Sequence, residues 1–155
     1  MTVTNEQNFA AAFNANNAGF ARAMELRFVT ATEHEVVVEW TVAEQHLQPY
    51  GIVHGGVHCG VVETVCSIGA GVAARARGHK GGVVGLENHT SFIRAVRAGS
   101  VLQARAVPVT RGRTTQVWEA KITDSDGRLV AQGSVRLLCV TDGVIPGPGG
   151  APTRD

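Results

Sequence analysis

At 155 residues the chain fits one domain with room for a buried hydrophobic core. Its net charge of +1 excludes an electrostatic footprint for nucleic acid or an acidic membrane. Hydrophobic residues make up 44% but aromatics only 5%, so the core is built mainly from Val, Ala and Leu.

Taken in chain order, the first residues show neither a basic start nor an apolar signal-type stretch. No apolar run approaches the ~20 residues of a bilayer span. The three cysteines, Cys59, Cys66 and Cys139, are odd in number and lack metal-type spacing. Reduced thiols in a soluble, cytoplasmic protein are expected.

Residues 5–17 read as an amphipathic helix with Phe9, Ala12 and Phe13 on one side, ended at Gly19. Strand-like runs follow at 23–32 and 34–42, then a loop at 45–53 marked by Pro49, Tyr50 and Gly51. Residues 54–77 form the one long helical candidate, with Val57, Val61, Val65, Ile68 and Val72 as its buried stripe. Arg75, Arg77 and Gly78 close it with cations and then a glycine. Four more strands are predicted at 82–94, 101–110, 114–123 and 129–140. Residues 141–155 are rich in Gly and Pro and read as a tail. The class is α+β: one domain over residues 1–140, with an N-terminal helix inside 1–18, in which an antiparallel sheet covers a long helix.

The candidate chemistry lies on the helix flank opposite the valines. Glu63 stands about 200° from Val61 and Val65 on a helical wheel. Its neighbours one and two turns away, Gly56, Cys59, Gly60, Cys66, Ser67 and Ala70, are all small and leave room for a substrate. The helix starts at His54-Gly55-Gly56, where uncovered backbone N–H groups and the positive helix end suit a developing oxyanion. Acyl-transfer hydrolysis needs a carboxylate or nucleophile and such a donor. Taken singly, a helical Glu is usually solvated and a Gly-Gly pair is usually a turn.

The segment QPYGIVHGGVHCGVVETVCS, residues 48–67, resembles the active-site segment of hotdog-fold acyl-CoA thioesterases. Its nearest likenesses are the phenylacetate-pathway (PaaI-like) group and the Arthrobacter type of 4-hydroxybenzoyl-CoA thioesterase. GLENHTSFIRAVRAG, residues 85–99, is similar to the strand that follows in that family, and the likeness spans about residues 19–140. The resemblance implies a curved antiparallel sheet wrapped around one helix. It also implies Glu63 as nucleophile or general base, the Gly55 amide as carbonyl polariser, and Gln48 near the thioester from the neighbouring subunit. His54 organises the loop, and Ser67 orients water or Glu63. Subunits of this kind pair, with the active site between them, as a dimer or a tetramer built from dimers. An aryl- or medium-chain acyl-CoA is the implied substrate. The family holds coenzyme A with surface arginines, for which Arg94, Arg97, Arg111, Arg113 and Thr114 are the candidates, against a default of solvated turn charge.

No cofactor or metal is expected. His54 and His58 have ligand spacing but no third ligand in pattern, there is no GK[ST] phosphate loop, and Ser67 lacks a GxSxG setting. Two other readings stand beside hydrolysis. One is a non-catalytic acyl-CoA-binding protein, although no basic DNA-binding segment is present. The other is an enoyl-CoA hydratase, which would want a paired Asp and His.

Overall fold

The structure is a computed structural model that describes residues 7–145. Its elements are α1 (Ala10–Ala15), α2 (Gly19–Ala23), β1 (Arg27–Ala31), β2 (Val36–Thr41), α3 (Gly55–Ala76), β3 (Val83–Phe92), β4 (Val101–Arg111), β5 (Thr115–Asp124) and β6 (Leu129–Cys139). The six strands form one antiparallel sheet in the order β1-β2-β4-β5-β6-β3, curved around α3 in the hotdog arrangement.

Local chemistry defines both ends of α3. The His54 ring accepts a hydrogen bond from the Gly56 N–H at 2.8 Å, a side-chain cap for one orphan donor. Ahead of it, the His54 N–H donates to the His46 carbonyl and the Val53 N–H to the Val96 carbonyl, which pins the helix entry to the turn after β2 and to the β3–β4 connection. At the other end Gly78 adopts φ +81°. Its N–H reaches the Arg75 carbonyl, and the His79 N–H reaches that of Ala74. These paired bonds are a Schellman closure, which requires the left-handed glycine.

The core lies between α3 and the concave sheet face. Val61, Val62, Val65 and Cys66 are fully buried, as are Leu102, Trp118, Ile122 and Leu137 from the sheet. Each such aliphatic side chain contributes about 1.5–3 kcal/mol of transfer free energy. A polar clamp crosses this interface. Buried Gln116 donates to the Ala70 carbonyl at 3.0 Å and accepts from the Trp118 indole at 2.9 Å, so the amide satisfies both layers.

Several expectations are corrected. Of the helix expected over 5–17 only α1 forms, and Gly19, with φ +56°, begins a second short helix, so that the strand expected from 23 starts at Arg27. Positions 5 and 6 of the expected helix, and 146–155 of the tail, lie outside the described residues. The valine stripe holds through Val65, but Ile68 and Val72 are only half-buried, and the buried face continues through Gly69, Ala70, Ala73 and Ala74. Small residues let that half of the helix sit close to Trp118, which rolls the larger side chains to its edge. Ile68 and Val72 there line an open groove of about 710 Å³ with Phe9 and Phe13. Finally, α3 is long and apolar enough to cross a bilayer, with a mean hydropathy of 1.5, contrary to the reading of the sequence. It is instead the core helix of an α+β domain, packed against all six strands of the sheet.

Candidate active site

Glu63 is half-buried near the middle of α3, on the flank that faces β3. Two donors hold its carboxylate. The Ser67 hydroxyl, one turn along the helix, donates to Oε1 at 3.1 Å. The Asn88 side-chain amide, on β3, donates to Oε2 at 3.2 Å and to the Cys59 carbonyl at 3.1 Å. Behind the carboxylate lies Gly85, where an added Cβ would fall 2.2 Å from Oε1. Only glycine leaves the carboxylate in that place.

A bulge makes this arrangement possible. Register shifts between Gly85 and Glu87 on β3. In a regular strand residues 85, 87 and 89 would share a face. The extra residue switches the parity, so Gly85, Asn88 and Phe92 all meet α3, whereas Glu87 accepts from His89 and Arg136 away from it. Those two donors hold the Glu87 carboxyl below its ordinary range.

The flank around Glu63 is less open than the small residues suggest. The Phe20 ring lies against Gly60 and the Phe92 ring against Gly55, each within 2.6 Å of where a Cβ would stand. Cys66 and Ala70 turn into the core. Burial pushes the Cys66 thiol well above its ordinary range, with the Glu63 and Glu119 charges adding to the effect, so it is not a ready nucleophile.

At the helix start, the Gly55 N–H makes no hydrogen bond among the described residues, while Gly56 is capped by His54 and the Val57 N–H donates to the His54 carbonyl. The Gly55 amide is thus a free donor at the positive end of a long helix. His54 acts as the cap, with one ring nitrogen committed to Gly56. His58 is buried, and its Nδ1 has no partner among the described residues. Burial lowers its pKa to about 4, so it sits in the core as a neutral imidazole.

Gln48 lies in the turn before α3, with its side-chain oxygen accepting the Tyr50 N–H. The basic candidates separate into two groups. Arg94 and Arg97 lie on the β3–β4 connection beside the helix start, with an Arg97 nitrogen 3.9 Å from a Cβ built at Gly51. Arg111, Arg113 and Thr114 lie at the far end of α3, where the Arg77 guanidinium donates to the Arg111 and Gly112 carbonyls. Arg111 is itself engaged with Glu33 and His34. The structure brings together Glu63, Ser67 and Asn88, but not the second arginine group. Asn88 is the site residue that the sequence pattern missed; Gly85, three positions before it in a strand, was the available signal for a bulge.

Residues 50–131 match the thioesterase superfamily profile. A 1,4-dihydroxy-2-naphthoyl-CoA hydrolase of Listeria monocytogenes is 35% identical over 123 residues, covering 79% of this chain and 90% of that protein. Among solved structures, AziG of S. sahachiroi superposes with a TM-score of 0.75 at 40% identity, over 80% of this chain and 98% of that one. The Escherichia coli PaaI protein shares the fold, with a TM-score of 0.74 at 22% identity over 84% and 91% of the two chains. The chain belongs to the thioesterase superfamily and is a thioester hydrolase.

Proposed function

With that membership as premise, we propose that the protein hydrolyses an aryl-CoA thioester in a site shared by two subunits, with Glu63 as the reacting carboxylate. The observation that carries this reading is the placement of Glu63, held at both oxygens by Ser67 and Asn88 on an otherwise apolar helix. The naphthoyl-CoA relative supports an aromatic acyl group, as does the likeness of residues 48–67 to the Arthrobacter-type enzyme.

Helix geometry supports the second subunit. Gly55 and Glu63 are eight residues apart, which is about 12 Å along the axis and ~80° around it. One thioester carbonyl cannot meet both from a single chain. The remedy lies at the sheet edge. β3 pairs with β6 on one side only among the described strands, and it carries exposed Leu86 and Phe92 next to the Glu63 flank. A second copy joined there about a two-fold axis sets the start of one α3 beside the middle of the other. Gly55 and Gln48 of one subunit then polarise the carbonyl for Glu63 of its partner. Two such pairs make the tetramer.

Glu63 acts either by attacking the carbonyl carbon to give an acyl-enzyme anhydride or by taking a proton from the attacking water. In both routes the carbonyl oxygen gains charge against the Gly55 N–H, and the C–S bond breaks to release coenzyme A, whose sulfur takes up a proton that comes from water. In the first route water then hydrolyses the anhydride, releasing the free acid and restoring the Glu63 carboxylate. Arg94 and Arg97, exposed beside the helix start, supply charge for the coenzyme phosphates. The setting is cytoplasmic, and no cofactor enters the reaction.

The test uses release of free thiol from a panel of aryl- and alkyl-CoA thioesters. Glu63→Gln lowers kcat by about 10³ or more with the fold intact. Unchanged turnover of every accepted thioester in that variant rejects the reading. Mixing inactive Glu63→Gln with inactive Gly55→Val then checks the shared site. Random pairing restores roughly a quarter of wild-type activity when the two residues serve from different subunits, and none when they serve from one.

A further inference from the structure

Asn88 has its whole amide committed. Both nitrogen protons are donated, one to the Cys59 carbonyl at 3.1 Å and one to Glu63 Oε2 at 3.2 Å. Its oxygen accepts the Thr90 hydroxyl at 2.6 Å. The orientation is chemically unambiguous. A backbone carbonyl is an acceptor only, so the nitrogen must face Cys59 and the oxygen is left to Thr90. The Cys59 carbonyl is a fixed point in the backbone of α3, and Asn88 is a fixed point on β3. Together they give Glu63 a donor whose position does not depend on the helix's own side chains.

Ser67 alone cannot do this. A hydroxyl one turn away rotates freely about Cβ and restrains one carboxylate oxygen. The amide from β3 restrains the other, so the plane of the carboxylate is set by two donors from two elements.

Resting on the thioesterase reading, we infer that Asn88, locked by Thr90, is a positioning residue that orients the Glu63 carboxylate for the reaction. Asn88 touches neither substrate nor reacting carbonyl in this scheme; it acts through Glu63. Thr90 sets the amide, and the Gly85 bulge brings it to the helix.

The experiment combines kinetics with an observation that needs no turnover. Asn88→Ala lowers kcat about tenfold or more while KM stays within about twofold. Asn88→Asp, of the same shape, replaces the donor with a second carboxylate and lowers kcat further. Thr90→Val lowers kcat by less. Wild-type kcat in Asn88→Ala overturns the inference, as does a rise in KM at constant kcat. Independently, the Asn88 side-chain NH₂ signals in the ¹H–¹⁵N NMR spectrum shift as pH falls through the carboxylate range, and Glu63→Gln abolishes that shift. Signals indifferent to both pH and Glu63→Gln overturn the inference even if the protein is an active thioesterase. Coupled signals in a protein that cleaves no thioester reject the functional reading and retain the Asn88–Glu63 link.

Discussion

In the first half of α3, through Ser67, small side chains border the Glu63 flank, with aromatic rings resting on Gly55 and Gly60 from Phe92 and Phe20. In the second half, Gly69, Ala70 and Ala73 are buried and draw the helix down onto the sheet, where the Trp118 ring takes the space a Cβ at Gly69 would need. The two halves share a composition and differ in what stands opposite. The first faces the open sheet edge at β3, where small residues uncover a carboxylate and a free amide. The second faces the middle of the sheet, where they set the distance between layers. A small residue in this helix therefore has no fixed meaning until its opposite number is known.

Two neighbouring glycines give the sharpest way to break that contrast. A Cβ at Gly69 would fall 2.4 Å from the Trp118 ring, and that indole is held by Gln116 and fully buried, so it cannot retreat. Gly69→Ala is expected to cost about 3 kcal/mol, the upper range for overpacking. Gly71, two residues on, has nothing within 4 Å of its added Cβ. Gly71→Ala should stabilise by about 0.5–1 kcal/mol through helix propensity alone. Urea unfolding of the two variants checks the pair. Equal effects would show that the layer distance is not set at Gly69.

His58 sharpens the comparison inside the first half, because it is buried on the core side of the same turns that carry the site. His46, also buried, is satisfied: its Nδ1 accepts the Ala43 N–H and its Nε2 donates to the Met24 carbonyl. His58 has no such partner for Nδ1 among the described residues, and its pKa is lowered to about 4 from 6.5. The unfolded chain therefore binds a proton at this residue before the folded one does. His58 leaves stability untouched above pH ~6.5, and stability falls as pH drops from there toward ~4, by at most about 1.4 kcal/mol per pH unit. His58→Met, which fills similar space without titrating, should flatten that part of the stability curve. Thermal unfolding between pH 7 and 4 checks it, and parallel curves would remove His58 from the account.

The same contrast explains what the sequence disclosed. The extent of α3, the four strands after it and the placement of Glu63 were legible because period, glycine stops and turn chemistry are local signals. The roll of Ile68 and Val72 out of the core was not. It follows from Trp118, about fifty residues away in the chain and in contact with Gly69 only through the fold. Asn88 was hidden for a related reason. Its side of β3 depends on a bulge, and strand parity counted along the sequence gives the wrong face. Gln48 was named from resemblance, and Gly55 already from the helix start as a donor serving beside Glu63 from the same helix. The distance of Gly55 from Glu63 along that helix, however, emerges only when rise per residue is applied.

Ser67 tests the smallest difference between the halves, that a polar side chain on the first half serves the carboxylate rather than the helix. A helical serine can bond back to the carbonyl four residues earlier. Thr64 does so, donating to the Gly60 carbonyl at 2.7 Å. Ser67 instead donates to Glu63 Oε1 at 3.1 Å, on the side where Gly85 leaves the carboxylate its room. The site is half-open to water, which can partly replace the lost donor, so the full value of a charge-assisted bond is not at stake. Ser67→Ala should lower kcat about five- to tenfold, roughly 1 kcal/mol, with little change in stability. Ser67→Thr keeps the hydroxyl and should restore most of the loss, with any residue appearing as a change in acyl preference from the added methyl. Thiol-release kinetics on the two variants decide between the roles. If Ser67→Ala shifts unfolding but not kcat, Ser67 belongs with Thr64 as a helix residue, and Asn88 is left as the only described donor to the carboxylate.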